Sequence, residues 1–310
     1  MFEPIEDTVA QYGSENSVIR QLHDVPPYRV YEIRLDNRRA VLKIDDHQRA
    51  HAADEGRVHE YVATDTSAPV PEVIAVGTDH YITAWHDEIA CPSTQVDPQW
   101  AHAAGVWMGT LHDDTVGAFD GFGQPRNSDG DLSLTPHETW TDAIIERIAH
   151  HGQYLAPKGY GDVADAVEGF FRDHPTVFDG VGEPVLCHGD VHPEHHVRTG
   201  GDDCIAIDFE HAFVAPAEYD YWRTVMPYFE ASDDVDETVT QAFQDGYESV
   251  RSFPGGYEER RPLYRLINWV AFLESLHLQK TVEKNKRMKM GEWMRERVYE
   301  TLAEVRETVE

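Results

Sequence analysis

Lysine is nearly missing from this sequence: six occur among 310 residues, and Lys43 stands alone ahead of Lys158. Cysteine is as scarce, at Cys91, Cys187 and Cys204, too few and too irregularly spaced for a disulfide framework or a four-thiolate zinc site. No apolar run approaches the roughly 20 residues that cross a bilayer. The opening segment MFEPIEDTVAQYG has neither the basic start nor the apolar stretch of a secretory signal. These absences lead to the expectation of a soluble, cytoplasmic protein with no membrane partner. Internal repeats, low-complexity tracts and long linkers are also missing. Neither a G-x-x-x-x-G-K-[ST] phosphate loop nor a G-x-G-x-x-G fingerprint occurs.

What is abundant is acid. Against 26 basic side chains stand 57 acidic ones, a formal charge of −31 spread along the whole chain. Such a charge repels itself at low ionic strength and is screened by salt. The reading adopted is a halophilic protein working in concentrated salt; an ordinary acidic protein is the alternative. Either way, binding to nucleic-acid phosphates or anionic lipid is disfavoured. Apolar residues make up 41%, including 7 Trp, 12 Phe and 14 Tyr, enough to fill real cores. The length suggests about two domains or one large two-lobed one.

Residues 28–34 alternate as a strand, Asp36-Asn37 marks a turn, and AVLKI at 40–44 reads as a second strand. Segment 49–63 has helical spacing; VIAVG after Pro69 and Pro71, and YITAW at 81–85, add extended segments. From Asp97 the pattern turns helical. Asp97-Pro98 is a helix start, with Trp100, Ala104, Trp107, Met108 and Leu111 on one face. Further helices are marked by Val163–Phe171 and Leu263–His277, interrupted by short strands at 185–187 and 204–207. The Gly/Asp-rich segment 119–133 reads as a surface loop, and its Asn127, Asp129 and Asp131 fall short of a calcium ligand set. Lys280–Lys289 reads as an exposed helical face, with reception of an anionic substrate as the alternative. Cys187 is expected in the core.

The chemistry concentrates in VLCHGDVHPEHHVRTGGDDCIAIDFE at 185–210. A short strand runs into His188-Gly189-Asp190, and a second strand delivers Asp208 from its carboxyl end. Two carboxylates leaving strand ends can share one cleft, one taking a proton from a hydroxyl while the other holds a divalent metal. His195, five residues after Asp190, has three open roles: metal ligand, phosphate contact or solvent-facing group.

These motifs resemble the aminoglycoside phosphotransferase and choline kinase-like family, small-molecule relatives of the protein kinases. In order, the likeness comprises A-V-L-K with Lys43, a helix carboxylate at Glu55, and the P-V-P-E-V connection at 69–73. It continues through Gly109-Thr110-Leu111-His112, His188-Gly189-Asp190, Ile207-Asp208-Phe209-Glu210 and Tyr219-Asp220-Tyr221. H-G-D alone recurs by chance; the ordered set is specific. The resemblance implies a two-lobed, protein-kinase-like α+β fold. Residues 1–87 would form a small antiparallel-sheet, nucleotide-binding lobe, and 88–310 a larger, mainly helical catalytic and acceptor-binding lobe. It implies transfer of the γ-phosphoryl group of ATP, with Mg2+, to a hydroxyl of a small molecule. Lys43 would reach the α- and β-phosphates and Glu55 would hold it. Asp190 would be the base or positioner, Asp208 the metal ligand, and His188 a brace for the loop. Asp220 would anchor the start of a later helix.

The chain departs from the family pattern twice. Position 195 is His where the family has Asn, which opens the way to Mn2+ or to weakened catalysis, since imidazole suits magnesium less well than oxygen does. The Gly-rich phosphate loop is replaced by LHDVPPY at 22–28. Two rivals follow: a catalytically impaired nucleotide-binding pseudokinase, and a metal-dependent phosphoester hydrolase suggested by His188, His192, His195 and His196 among the aspartates. The acceptor and the oligomeric state are not specified by the sequence.

Overall fold

The computed structural model describes residues 5–13, 15–90, 92–201, 203–230 and 237–309. Cys91 lies outside them; Cys187 and Cys204 are buried free thiols. A short helix, α1 (Ile5–Ala10), precedes β1 (Ser17–Val25), β2 (Tyr28–Leu35) and β3 (Arg38–Asp45). Then come α2 (Ala52–Asp65), β4 (Val73–Val76) and β5 (His80–Ala84). The five strands form one antiparallel sheet in the order β1-β2-β3-β5-β4. Asp36 and Asn37 close the β2–β3 hairpin with φ of 43° and 75°, the positive angles a two-residue hairpin turn requires. Strand β1 was not expected. It is an edge strand exposed along almost its whole length, so no apolar alternation marks it.

Strand β3 shows why Lys43 can be functional. Ala40, Leu42 and Ile44 are fully buried in a cluster with Val9, Ile33 and Ile82, so period-two alternation turns Lys43 to the opposite face. There it pairs in register with Tyr81 of β5. Helix α2 lies against the same face, and Gly56 permits the approach: a Cβ there would sit 2.6 Å from the Tyr81 Cβ.

The remainder is mainly helical. It begins with α3 (Pro98–Asp114), capped as expected by Asp97, whose carboxylate accepts from the Trp100 amide at 2.8 Å. The expected loop at 119–133 instead contains a hairpin, β6 (Pro125–Ser128) and β7 (Asp131–Leu134). The hairpin is tied to α2: Arg126 Nη1 and the Asn127 amide both donate to Asp54, at 2.8 and 2.7 Å. Asn127 Oδ1 accepts from Gly130 inside the turn, and no three-ligand cluster forms there among the described residues.

Next are α4 (Trp140–Leu155), α5 (Gly161–Asp173), β8 (Pro184–Cys187), β9 (His196–Gly200), β10 (Asp203–Ala206) and β11 (Phe213–Pro216). The chain continues with α6 (Ala217–Val225), a π-helical turn at Met226–Glu230, α7 (Glu237–Glu248), α8 (Arg261–Gln279) and α9 (Lys284–Val309). One large apolar cluster, with Trp107, Trp140, Phe170, Tyr219 and Tyr264, unites these helices. The architecture is α+β, with a small antiparallel sheet followed by a helical region. Lys280, Lys284, Lys286 and Lys289 are exposed, but they do not share the one helical face expected: Lys280 is the left-handed cap of α8 and the other three lie on α9. No helix among the described residues is long and apolar enough to cross a membrane.

Candidate active site

Strands β8 and β10 do not pair with each other. Strand β8 pairs with β11 and β10 with β9, and these two ribbons present the ends that carry Asp190 and Asp208. The loop between them is held from beneath. Asp220, fully buried in the first turn of α6, accepts from the His188 and Gly189 amides at 2.7 and 2.8 Å and faces His112 Nε2 at 3.2 Å. Its carboxylate therefore secures the loop rather than the start of its own helix. Gly189 has φ of 81°, and a Cβ there would lie 2.3 Å from the His211 carbonyl, so no larger residue fits.

His188 is fully buried and neutral, its pKa pushed down to about 4 by burial. Its Nε2 donates to the Ile207 carbonyl at 2.9 Å while Nδ1 accepts from the Asp190 amide at 3.2 Å. The ring thus ties the Asp190 loop to the residue before Asp208. Phe209 packs against His188 at 4.7 Å and His59 of α2 at 5.3 Å, ring centre to ring centre. This row of rings joins the helix carrying Glu55 to both aspartates.

Lys43 is where the two halves of the chain meet. Its Nζ donates to Glu55 Oε1 at 2.9 Å and to Asp208 Oδ1 at 2.5 Å, lies 3.8 Å from Glu210, and stands 4.2 Å above the Tyr28 ring. Tyr81 completes the clamp by donating to Glu55 Oε1 at 2.7 Å. Burial alone would strip the proton from this ammonium. Asp208 and Glu55 outweigh burial and hold its pKa well above the usual value, so Lys43 is a fixed cation. Asp208 has φ of 71°, a strained left-handed conformation for a non-glycine residue that recurs at functional positions. Burial opposes its ionisation too, but Lys43 and His195 keep its carboxyl well below the usual range.

His195 occupies the space between the aspartates. Its Nδ1 lies 3.2 Å from Asp190 Oδ2 and its Nε2 3.2 Å from Asp208 Oδ2. Burial disfavours the imidazolium, yet Asp208 and Asp190 together push its pKa up to about 9. Of its three open roles, facing solvent is thus excluded. His192 packs against it with the rings tilted by 45° and their centres 3.8 Å apart, and Tyr228 donates to Asp190 Oδ1 at 3.1 Å.

Lys43, Glu55, His188, Asp190, His195 and Asp208 therefore converge on one site between the sheet and the helical region. Tyr28, Tyr81, Glu210 and Tyr228 also belong to it and were missed. The register of β3 against β5 puts Tyr81 beside Lys43, and Glu210 is one turn-residue beyond Phe209. Tyr228, on the π-helical turn, carries no sequence signal. Four carboxylates, Glu55, Asp190, Asp208 and Glu210, surround two cations, Lys43 and His195. Such an excess of hard oxygen donors fits a divalent cation.

A small antiparallel sheet with one helix, set over a helical region and closed by a Lys–Glu–Asp clamp, defines a protein-kinase-like fold. The sequence matches the phosphotransferase enzyme family over residues 28–263, and the chain belongs to that family. In three dimensions it is similar to a candidate fructosamine-3-kinase from Thermobifida fusca, with TM-score 0.66, 16% identity and 96% of each chain covered. It is similar as well to a candidate fructosamine-3-kinase from Haemophilus somnus, with TM-score 0.66, 14% identity, and 95% of this chain and 96% of that one covered. A thermostable mutant of aminoglycoside phosphotransferase APH(4)-Ia, in ternary complex with ADP and hygromycin B, gives TM-score 0.62, 18% identity, and coverage of 96% and 97%. At these identities the likeness is one of fold. No curated protein matches the sequence.

Proposed function

We propose that this protein moves the γ-phosphoryl group of ATP to a hydroxyl of a small molecule. The carrying observation is the direct contact of Lys43 with both Glu55 and Asp208, 165 residues away in sequence. On this reading residues 1–87 form the nucleotide-binding lobe and 88–310 the catalytic and acceptor-binding lobe, acting in a salt-rich cytoplasm. The complex of APH(4)-Ia with ADP and hygromycin B supports nucleotide use and a small-molecule acceptor.

Lys43 exchanges part of its contact with Asp208 for the α- and β-phosphates, while Glu55 keeps its position. Asp190 accepts the acceptor's hydroxyl proton, or orients that hydroxyl for in-line attack. Asp208, with Glu210 and His195 at hand, would hold a magnesium ion, which would supply charge neutralisation on the phosphoryl oxygens. His195 must then give up its proton or swing aside, and manganese tolerates such a nitrogen donor better. The rate gain comes from placement and fixed charge.

The test is an acceptor screen in high potassium chloride with ATP, magnesium and manganese supplied separately, reading phosphorylated product. With the acceptor found, Asp190→Asn is expected to lower kcat by about 10²- to 10⁴-fold. Full turnover by Asp190→Asn refutes the assignment.

A second reading rests on His195 itself. A cation wedged 3.2 Å from each aspartate occupies charge that metal would otherwise claim, as a nucleotide-binding pseudokinase requires. ATP binding without transfer across the panel, with transfer restored by His195→Asn, favours this reading.

A further inference from the structure

Beside the cleft lies a cavity of about 260 Å³, bounded by the β1–β2 turn, the β6–β7 hairpin, α4, α6 and α8. It adjoins the proposed centre: its Tyr28 lies under Lys43, its Glu210 lies 3.8 Å from Lys43, and its His211 packs on the Asp190 loop. In a chain with a formal charge of −31, its lining has an unexpected sign. Arg49, Arg126, Arg147 and Arg223 face it, against three glutamates and not one aspartate.

Most of these charges are already engaged. Glu274 is taken at one oxygen by Arg49, at 2.5 Å, and at the other by His151. Glu146 meets His137. Glu210 is shared by Lys43 and His211. Arg126 is bound to Asp54 at 2.8 Å.

Two guanidiniums are left over. Arg147 has no carboxylate or hydrogen-bond acceptor among the described residues; it stands 4.5 Å over the Phe213 ring, and its Nε is buried without a partner. Arg223 is 4% exposed, donates Nε to the Gly189 carbonyl, and leaves Nη1 buried without a partner. Each guanidinium has five N–H donors and no acceptor capacity. Arg223 is a buried cation without its counter-charge, which is costly, and with the half-buried Arg147 on the same cavity it marks a place for an anion.

We propose that the cavity receives the anionic group of the acceptor, a hydroxyl compound bearing a carboxylate or a phosphate ester, through Arg147 and Arg223. The proposal rests on the phosphotransferase reading and narrows it to a substrate class. Arg223 links the two sites, since the carbonyl it holds belongs to Gly189, immediately before Asp190. An acceptor anchored on Arg147 and Arg223 is thereby placed next to the loop that handles its hydroxyl. The planar, forked donors of arginine suit carboxylate and phosphate oxygens, whereas a cationic amino sugar would be repelled. The exposed lysines of α9, the alternative considered from sequence, are not among the lining residues.

The test is calorimetric binding to the full chain, which needs no turnover. Four probes differ mainly in charge: gluconate, glucose 6-phosphate, glucose and glucosamine, with inorganic phosphate as the minimal anion. Gluconate or glucose 6-phosphate is expected to bind at least about tenfold more tightly than glucose and glucosamine. The two anions separate a carboxylate site from a phosphate site. Arg147→Gln is expected to abolish the preference and Arg147→Lys to retain much of it. Equal or tighter binding of glucose or glucosamine overturns the proposal, as does failure of every anion to bind. An anion preference that survives in Arg147→Gln also overturns it. The phosphotransferase reading is judged separately by product formation in the acceptor screen, so either can fail alone.

Discussion

Removing the Asp220 carboxylate should loosen the Asp190 loop and cost the fold a large share of its stability. Asp220 is fully buried and serves three donors: the His188 amide at 2.7 Å, the Gly189 amide at 2.8 Å and His112 Nε2 at 3.2 Å. Burial pushes its pKa up, but His112 outweighs this and keeps the carboxyl below the usual range. A hydrogen bond to a charged group is worth about 1.5–3 kcal/mol. Asp220→Asn keeps one acceptor oxygen but turns an NH2 towards other donors, for an expected loss of about 2–4 kcal/mol. Asp220→Ala leaves two backbone N–H groups without acceptors and is expected to lose about 3–6 kcal/mol, against a typical total of about 5–15 kcal/mol. Denaturant unfolding in high potassium chloride with linear extrapolation measures this. Because the loop carries Asp190, kcat of any Asp220→Asn that folds should fall by more than about tenfold. A loss below about 1 kcal/mol for Asp220→Ala would refute the claim that Asp220 holds the loop.

Two further outcomes are expected. Burial raises the Asp45 carboxyl to about 6 from an ordinary 3.8, although Asp45 accepts the Ala52 amide at 2.8 Å. Since the folded value lies above the unfolded one, its contribution is complete below about pH 3.8 and is lost as pH rises through about 6. Asp45→Asn keeps the acceptor without the charge and should stabilise the protein at neutral pH by about 1 kcal/mol after allowance for partial exposure. The gain should vanish near pH 4; an Asn variant less stable than the parent at neutral pH contradicts it. With −31 formal charges, Tm should rise between about 0.1 M and about 2 M potassium chloride as the Debye length shortens; a flat or falling Tm would show that self-repulsion does not limit stability.

The fold was legible wherever one residue pattern dictated one answer. The alternation of Ala40, Leu42 and Ile44 turned Lys43 to the functional face, and Asp97-Pro98 marked the start of α3. Asp190 and Asp208 were recognisable because each leaves a short apolar strand. Strand β1 was hidden because an exposed edge needs no apolar period. The β6–β7 hairpin was hidden because its stability comes from Asp54 of α2 rather than from its own Gly/Asp-rich composition. His195 kept three roles open until its distances to both aspartates were known. The cationic cavity was invisible for a topological reason: Arg49, Arg126, Arg147 and Arg223 are scattered over the chain, and an overall acidic composition conceals a local excess of the opposite sign.

If Lys43, Glu55 and Asp208 meet around a triphosphate, calorimetric titration of ATP with magnesium into the parent and Lys43→Met will register it. The parent should bind ATP, and Lys43→Met should bind it at least about tenfold more weakly, a loss of about 1.4 kcal/mol or more. Binding by Lys43→Met as tight as the parent's would contradict the account.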